Sequence, residues 1–277
     1  MTAATLPAPE LAGRRALHRL RWAVIDALTI TQRNLIVWRR VPAFIVFTLV
    51  QPVMFTLLFR FVFGGAIPVS SPGGYVDYLM PGIIGQTAAF ASFGTAIALA
   101  REVQKGVLDR FRSMPMARSA VLNGRLIADT ARMLLTILVI VAVGYLVGFR
   151  FLNGVGPAIA MVVLAVFFGL TVCCVSAYIG LAIKDEESVQ AFGLIWVFPL
   201  TFVSSAFVPI ATMPGWLQAF AKNQPVTLVI DTMRYLAIGP VPGVTSLEPQ
   251  LWQSLLWLIG TLLVFGPLAV RAYRRAS

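Results

Sequence analysis

Residues 101–127, REVQKGVLDRFRSMPMARSAVLNGRLI, form a basic segment between two of the most apolar stretches of the chain. The segment carries Arg and Lys at six positions, whereas only Glu102 and Asp109 are acidic. A polar, basic segment between two apolar runs is typical of a loop on the cytoplasmic side of a membrane. We therefore begin with the question of what this loop does.

The loop has the pattern of a short amphipathic helix. Val103, Val107, Phe111 and Met114 fall on one helical face. Pro115 cannot continue that helix, and Ser119 is a candidate N-cap for the next one, so the pattern predicts helix, break and helix. From the residues alone, two interpretations stay open: a helix that docks on another protein, or a connector held by anionic lipid.

The composition indicates an integral membrane protein. Hydrophobic residues make up 58% of the 277 residues and charged residues only 12%, whereas soluble domains carry roughly 25% charged residues. The net charge of +11 does not indicate nucleic-acid binding, because the charges cluster at the ends of apolar runs. That distribution is the one that places Lys and Arg on the cytoplasmic side.

Six apolar segments approach the length of about 20 residues that a helix needs to cross the hydrocarbon core. The sequence therefore predicts an all-α polytopic membrane protein. The predicted spans are 42–64, 78–100, 128–149, 157–183, 189–211 and 251–273, which together form a membrane domain over 42–273.

The distribution of basic residues predicts the orientation. With both termini inside, only Arg60, Arg150, Lys222 and Arg234 lie outside, so 22 − 4 = 18 of the Lys and Arg residues lie inside.

Two further elements are predicted. Residues 16–40, after a disordered tail at 1–15, form an amphipathic helix in the inner interface or, alternatively, a cytoplasmic helix packed on a partner.

The second element is a proline-interrupted region between the fifth and sixth spans, which predicts short outer helices half-embedded beside the bundle. Asp231 and Arg234 lie three residues apart there, so we expect them to form an ion pair at the outer membrane surface.

The sequence shows no motif for catalysis or metal binding. No G-x-x-x-x-G-K-[ST] or H-E-x-x-H pattern occurs. Asp185, Glu186 and Glu187 are the nearest approach to the acidic clusters of membrane prenyltransferases, but no second cluster accompanies them. We therefore expect neither a catalytic residue nor a directly bound cofactor, and energy for any transport must come from another subunit.

The opening loop resembles the first cytoplasmic loop of ABC-2 type transporter permeases, in which R-E-x-x-x-G-x-L precedes a Pro and a G-K/R pair. Arg101, Glu102, Gly106, Leu108, Pro115, Gly124 and Arg125 occupy those places. The likeness continues in KDEESVQ (184–190), FVSSAFVPIATMPGWLQ (202–218) and NQPVTLVIDTMRYL (223–236). Val107 replaces a usual Thr and Ser205 a usual Gly. RFRSMPMA with NQPVT is most similar to permeases of the daunorubicin-resistance type.

The resemblance implies a permease subunit in a bacterial inner membrane, with six spans, a cytoplasmic coupling helix and an external helical hairpin. It implies a separate ATPase subunit that binds ATP and Mg, a second permease chain that is identical or paralogous, and contact with membrane lipids but not nucleic acid. The residues implied to couple the chain to the ATPase are Glu102, Gly106, Leu108, Phe111, Arg112 and Pro115.

The resemblance also implies a role in efflux of drug-like or lipid-like substrates, including antibiotic resistance, with the second and fifth spans along the path. Gln86, Phe90, Phe93, Trp196, Phe198 and Phe202 are the candidate lining residues, although each could instead pack against helices or lipid. Two alternatives remain open: a polysaccharide or glycolipid permease of the same superfamily, and an intramembrane enzyme that modifies lipid.

Overall fold

A computed structural model describes residues 25–36 except 27, residue 40, and residues 42–67, 69, 71, 73–107, 118–240 and 246–276. Within these ranges every regular element is a helix. The helices are α1 (Pro42–Leu58), a π-helical turn (Phe59–Phe63), α2 (Tyr75–Gln104), α3 (Arg118–Leu146), α4 (Val155–Ile183), α5 (Glu186–Phe202), a 3₁₀ turn (Ile210–Thr212), α6 (Gly215–Asn223), α7 (Pro225–Ile238) and α8 (Leu247–Ala276).

Four of these helices are long and apolar enough to cross a membrane: α2, α3, α4 and α8. Each contains 29 or 30 residues. At 1.5 Å per residue such a helix is about 44 Å long, which exceeds the roughly 30 Å of the hydrocarbon core. The chain is therefore a multi-pass membrane protein, and the predicted all-α class is confirmed.

The observed helices extend beyond the apolar runs that predict them. α2 covers 75–104 where the sequence predicts a span over 78–100, and α3 begins ten residues before the predicted start at 128. The added turns carry charged residues such as Arg101, Arg125 and Asp77. A helix continues into the polar region because hydropathy marks only the part that lies in hydrocarbon.

The end of α5 differs from the prediction. The predicted fifth span runs to 211, but α5 ends at Phe202 and the chain then turns back into the bundle. Pro199 lies in the last turn, and the Gln224 amide donates to the Leu200 carbonyl at 3.0 Å and to the Val203 carbonyl at 2.8 Å. This side chain satisfies carbonyls that the helix end leaves unpaired, which makes an early end possible inside the protein.

The loop after α5 lies directly against α2. A Cβ added to Gly82 would lie 1.9 Å from the Ala206 carbonyl oxygen, a distance that no side chain can occupy. The Tyr75 hydroxyl donates to the Phe207 carbonyl at 2.9 Å. The loop is therefore fixed to the first half of α2, and Gly82 permits the close approach.

α7 is in the centre of the bundle, which corrects the prediction of a half-embedded outer hairpin. Eleven of its 14 residues are buried, and it packs against α2, α4 and α8. The sequence PVTLVIDTMRYLAI is apolar on nearly all faces, and a helix of that kind is buried on all sides rather than on one. α6, by contrast, carries exposed Trp216 and Phe220.

The described part of the N-terminal region packs on the end of the bundle where α3 begins. Residues 28–36 are helical, Ile30 and Thr31 are buried, and Leu28 and Ile36 are exposed. The Thr31 hydroxyl donates to the Gly124 carbonyl of α3 at 2.9 Å. The predicted tail at 1–15 and most of the first half of the predicted helix 16–40 lie outside the described residues.

Candidate substrate path and coupling face

A cavity of about 290 Å³ lies between α1, α2 and α3, and we call it the polar cavity because amide, hydroxyl and guanidinium groups interrupt its largely apolar lining. Its lining combines hydroxyl and amide side chains with one cation and several apolar side chains. The lining residues are Thr48, Gln51, Pro52, Gln86, Thr87, Phe90, Ala91, Phe93, Gly94, Ile97, Arg132, Met133 and Thr136. Half of the predicted path residues, Gln86, Phe90 and Phe93, therefore line one cavity.

The two predicted path helices meet at a cluster of aromatic rings. Phe90 of α2 lies edge-on to Phe198 of α5, with ring centroids 6.4 Å apart, and Phe198 stacks on Phe202 at 4.2 Å. Phe93 fills the space over Gly193, where an added Cβ would lie 1.6 Å from a Phe93 ring atom. Four of the six predicted path residues, all of them aromatic, thus lie at this junction between α2 and α5.

Trp196 lies elsewhere. It lines a second cavity of about 250 Å³ that is almost entirely apolar and is bounded by residues of α2, α4, α5, α7 and α8, including Phe168, Trp257 and Phe265. The structure therefore places Trp196 in a different cavity from Gln86, Phe90 and Phe93. The family resemblance pointed to the fifth span as a whole, but a helix places Trp196 and Phe198, two positions apart, on different faces.

A charged network connects the polar cavity to the C-terminal end of α2. Arg132 pairs with Asp129 at 3.1 Å, and the Arg125 guanidinium lies 3.6 Å from Asp129 and 2.9 Å from Glu102. Asp129 also accepts a hydrogen bond from Thr95 at 2.8 Å, and Arg33 lies 3.9 Å from Glu102. The network runs from the N-terminal helical segment through Glu102 to the cavity wall.

Sequence reasoning assigned Glu102 to the coupling face but missed Asp129, which joins the two arginines. The signal was present as the spacing Arg125, Asp129 and Arg132, because positions three and four apart are neighbours on a helix. Glu102 lies on another helix, and no local pattern predicts that contact.

Two sequence motifs, REVQ at 101–104 and KDEES at 184–188, form a clasp between α2 and α5. Arg101 donates two hydrogen bonds to the Glu186 carboxylate, and the Gln104 amide donates to Asp185 at 2.9 Å. Asp185 also caps α5 by accepting from the Ser188 amide at 2.8 Å. The bond from Ser188 lowers the pKa of Asp185, and the bond from Arg101 lowers the pKa of Glu186.

The predicted coupling residues begin at this clasp. Gly106 lies two residues beyond the end of α2 and has a φ of 61°, a left-handed conformation that favours glycine. Its amide donates to the Val103 carbonyl at 3.0 Å. Four of the predicted coupling residues, Leu108, Phe111, Arg112 and Pro115, lie outside the described residues. Their roles stay predictions, as do those of Glu102 and Gly106.

Asp231 and Arg234 are brought together on α7, where Arg234 donates to the Asp231 carboxylate. Arg234 is only 1% exposed, so the pair lies inside the protein and not at its surface, which corrects the predicted placement. The guanidinium also donates to the Tyr78 carbonyl at 3.0 Å and the Ser205 carbonyl at 2.7 Å, and lies 3.7 Å above the Tyr78 ring.

The hydrogen bonds of Ser205 were not predicted from the sequence. Its hydroxyl donates to Asp231 at 2.6 Å, and its carbonyl accepts from Arg234. The serine in place of the usual glycine therefore adds a hydrogen bond to a buried charge, and the close packing in this region occurs instead at Gly82.

Comparison with known proteins agrees with this architecture. The model of the ABC-2 type transporter family matches residues 26–238. The chain is 31% identical to the daunorubicin resistance ABC transporter permease protein DrrB1 of Streptomyces coeruleorubidus over 92% of this chain and 88% of the relative.

Two further relatives come from other organisms and match the chain with equal or lower identity. The chain is 31% identical to the probable doxorubicin resistance ABC transporter permease protein DrrC of Mycobacterium tuberculosis over 93% of this chain and 91% of the relative. It is 28% identical to the putative transport permease ycf38 of Pyropia yezoensis over 75% and 72%. The family match covers well over half of the chain, and this chain therefore belongs to the ABC-2 type transporter family, as a membrane component and not a catalytic enzyme.

Proposed function

We propose that this chain is the permease subunit of an ATP-driven exporter in a bacterial inner membrane, which moves hydrophobic or amphipathic, drug-like or lipid-like molecules out of the cell. One observation carries the proposal: an unbroken charged network joins a polar cavity within the bundle to Glu102, at the start of the predicted coupling loop. A permease needs both a place for cargo and a connection to its energy source. The names of the relatives, which refer to daunorubicin and doxorubicin resistance, support a drug-like cargo.

A separate ATP-binding subunit supplies the energy in this proposal, and it binds the ATP and Mg. The family supports an ABC ATPase partner, and the sequence contains no nucleotide-binding motif of its own. The loop from Glu102 to Pro115 is the proposed contact with that ATPase, and the clasp between α2 and α5 lies at the base of the loop.

We expect the purified chain, free of any ATPase subunit, to hydrolyse no ATP. The measurement is phosphate release in nanodiscs, with the chain alone and with its ATP-binding subunit added. Hydrolysis should appear only with the added subunit, because the residues that hold a nucleotide are supplied by that subunit. Sustained hydrolysis by the chain alone, at a rate that follows its concentration, would overturn the two-subunit proposal.

A second permease chain completes the pathway in this proposal. Gln51 lines the polar cavity yet is exposed on the outer face of α1, and a lipid-facing amide in a membrane span is costly. A neighbouring chain over α1 would cover it. The flanking exposed residues of α1, Val46, Val50 and Met54, supply an apolar contact surface.

The proposed topology has six spans with both termini in the cytoplasm. α1 and its π-helical turn together contain 22 residues, about 33 Å of helix, and the 17 residues of α5 reach about 26 Å before the chain turns back. These two helices would be the first and fifth spans. The charge distribution sets the orientation.

Cysteine labelling tests the topology. Trp216 of α6 is exposed and should lie outside, whereas Lys105 is exposed at the end of α2 and should lie inside. A membrane-impermeant maleimide added to whole cells should label Trp216→Cys and should label Lys105→Cys only after permeabilisation. The native Cys173 and Cys174 are buried and serve as the background. The reverse labelling pattern would refute the orientation.

A further inference from the structure

A basic recess of about 330 Å³ lies between the C-terminal ends of α4 and α8. It shares no lining residue with either of the cavities described above. Its wall combines three basic side chains with apolar ones: Tyr178, Leu181, Ala182, Lys184, Leu268, Arg271, Ala272 and Arg275. None of these lining residues is acidic, so the recess presents positive charge without a counter-ion in its own wall.

The three basic side chains of the recess, Lys184, Arg271 and Arg275, are exposed. Within the part of the chain that the structure describes, none of the three forms an ion pair. Arg271 and Arg275 lie four positions apart on α8, which makes them neighbours on one helical face. Because like charges at this spacing repel each other, an anion bound beside both guanidinium groups would stabilise the pair.

An acidic motif lies next to the recess in sequence but not in its wall. Residues 185–187 are acidic and directly follow Lys184, yet none of them lines the recess. The carboxylates of Asp185 and Glu186 belong to the clasp, where they accept hydrogen bonds from side chains of α2. The acidic motif therefore contributes no group to the wall.

The lining changes from apolar to basic in the same direction along both helices. On α4, Leu181 precedes Lys184, and on α8, Leu268 precedes Arg271 and Arg275. α4 itself contains no charged residue, and the long apolar run of α8 ends at Arg271. The recess therefore lies where the apolar runs of two membrane-spanning helices end, which is the level of the lipid headgroups.

The apolar part of the recess is held by the packing of α4 on α8. Leu181 is only 1% exposed and belongs to one buried cluster with Ala269 and Tyr273. The ring of Tyr178 packs edge-on against Phe265 of α8, with centroids 5.9 Å apart. An acyl chain that lay on this surface would have its headgroup beside the basic side chains.

Lys184 adopts a backbone conformation that favours glycine. Its φ is 63°, and it is the only residue other than glycine with a positive φ among those that the structure describes. The left-handed conformation is unfavourable for residues with a side chain. The Lys184 amide closes α4 by donating to the Gly180 carbonyl at 3.0 Å, a contact that a glycine would make equally well. The end of the helix does not need the lysine side chain, so its charge can be removed without a cost to the fold.

We propose that the basic recess binds an anionic phospholipid, whose phosphate oxygens accept hydrogen bonds from Lys184, Arg271 and Arg275 while an acyl chain packs on Tyr178 and Leu181. Basic pockets between membrane-spanning helices bind such headgroups, and arginine binds phosphate oxygens through paired N–H donors. The proposed topology places this end of both helices in the inner leaflet. The binding itself does not depend on the proposed function.

The test is native mass spectrometry of the delipidated full chain, titrated in one detergent with phosphatidylglycerol or with phosphatidylcholine of the same acyl chains. Phosphatidylglycerol should bind at least about 10-fold more tightly, because only its headgroup carries a net negative charge. Excess inorganic phosphate should not displace it. Equal affinity for the two lipids would overturn the anionic assignment, and displacement by inorganic phosphate would make the recess a site for free anions instead of lipid.

Variants locate the site. Arg271→Gln, Arg275→Gln and Lys184→Gly should each weaken phosphatidylglycerol binding about 5-fold, the effect of removing one basic residue at a membrane surface. The thermal unfolding midpoint of Lys184→Gly without added lipid should not fall, because glycine suits this helix end. Arg274→Gln is the matched control and should bind like the wild type, since it removes the same charge from an exposed side chain of α8 outside the recess.

Two results of this series would refute the site. The first is wild-type binding of phosphatidylglycerol by all three recess variants. The second is an equal loss of binding in Arg274→Gln, which would mean that the charge of the whole surface attracts the lipid without a defined pocket.

An acidic segment of a protein partner is the alternative occupant. If the double variant Arg271→Gln and Arg275→Gln fails to recover the ATPase subunit but binds phosphatidylglycerol like the wild type, the recess is a protein contact and the lipid proposal is wrong. If phosphatidylglycerol binds as described but no ATP-dependent transport occurs, the lipid site stands and only the exporter proposal is wrong.

Discussion

Arg234→Leu is expected to lower the free energy of unfolding by about 3–5 kcal/mol, the cost of breaking a buried ion pair on one side. Arg234 is fully buried and donates to Asp231 and to the carbonyls of Tyr78 and Ser205. The variant leaves the Asp231 carboxylate and both carbonyls without this donor. Since these groups join α2, α7 and the loop after α5, the packing of these three elements should loosen.

The measurement is the thermal unfolding midpoint of the purified protein in a fixed detergent. Arg150→Leu is the matched control, because Arg150 is exposed and stacks over the Tyr145 ring at 5.0 Å. A second comparison is the double variant Asp231→Leu and Arg234→Leu, which removes both charges and should be more stable than Arg234→Leu alone. An Arg234→Leu midpoint equal to that of Arg150→Leu would show that the buried pair contributes little.

Phe111→Asp should abolish association with the ATPase subunit. Phe111 lies outside the described residues, and the prediction rests on the pattern of the loop: Phe111 is the largest apolar residue on the face shared by Val103, Val107 and Met114. Aromatic residues at the centre of a small interface often contribute 2 kcal/mol or more to binding, about 30-fold in affinity. An aspartate there would also bury a charge while leaving every predicted span unchanged.

Recovery of the ATPase subunit by the tagged chain, in one detergent, measures this effect. Phe220→Asp is the matched control, because Phe220 is exposed on α6, which the proposed topology places outside the cell. Arg110→Glu should reduce recovery less and in a salt-dependent manner, since a charge at the rim of an interface mainly affects the association rate. Equal recovery by Phe111→Asp, with normal export, would make the loop a lipid-bound connector.

The sequence predicted the long helices well, because the hydrophobic requirement of a membrane acts on local runs of residues. α4 begins two residues before its predicted span and ends with it. α5 and α7 were less predictable. The early end of α5 depends on Gln224, more than 20 residues away in sequence, whose amide satisfies the last carbonyls. No apolar run contains that information.

Only part of the candidate site could be predicted, because contacts between residues distant in sequence leave no local pattern. The family resemblance placed Gln86, Phe90 and Phe93 on one path, and they share one cavity. The separation of Trp196, the contact between Arg101 and Glu186, and the link from Asp129 through Arg125 to Glu102 all depend on how different helices pack. Composition and spacing within one helix cannot specify such contacts.

The most direct test of the account is ATP-driven transport by purified components. Proteoliposomes containing this chain and its ATP-binding subunit should take up doxorubicin when ATP is added outside, because molecules with their ATP-binding face outward move cargo into the lumen. Liposomes with either subunit alone, or with both and no ATP, should show no uptake above leakage. Uptake that needs only this chain, or that proceeds equally without ATP, would contradict the account.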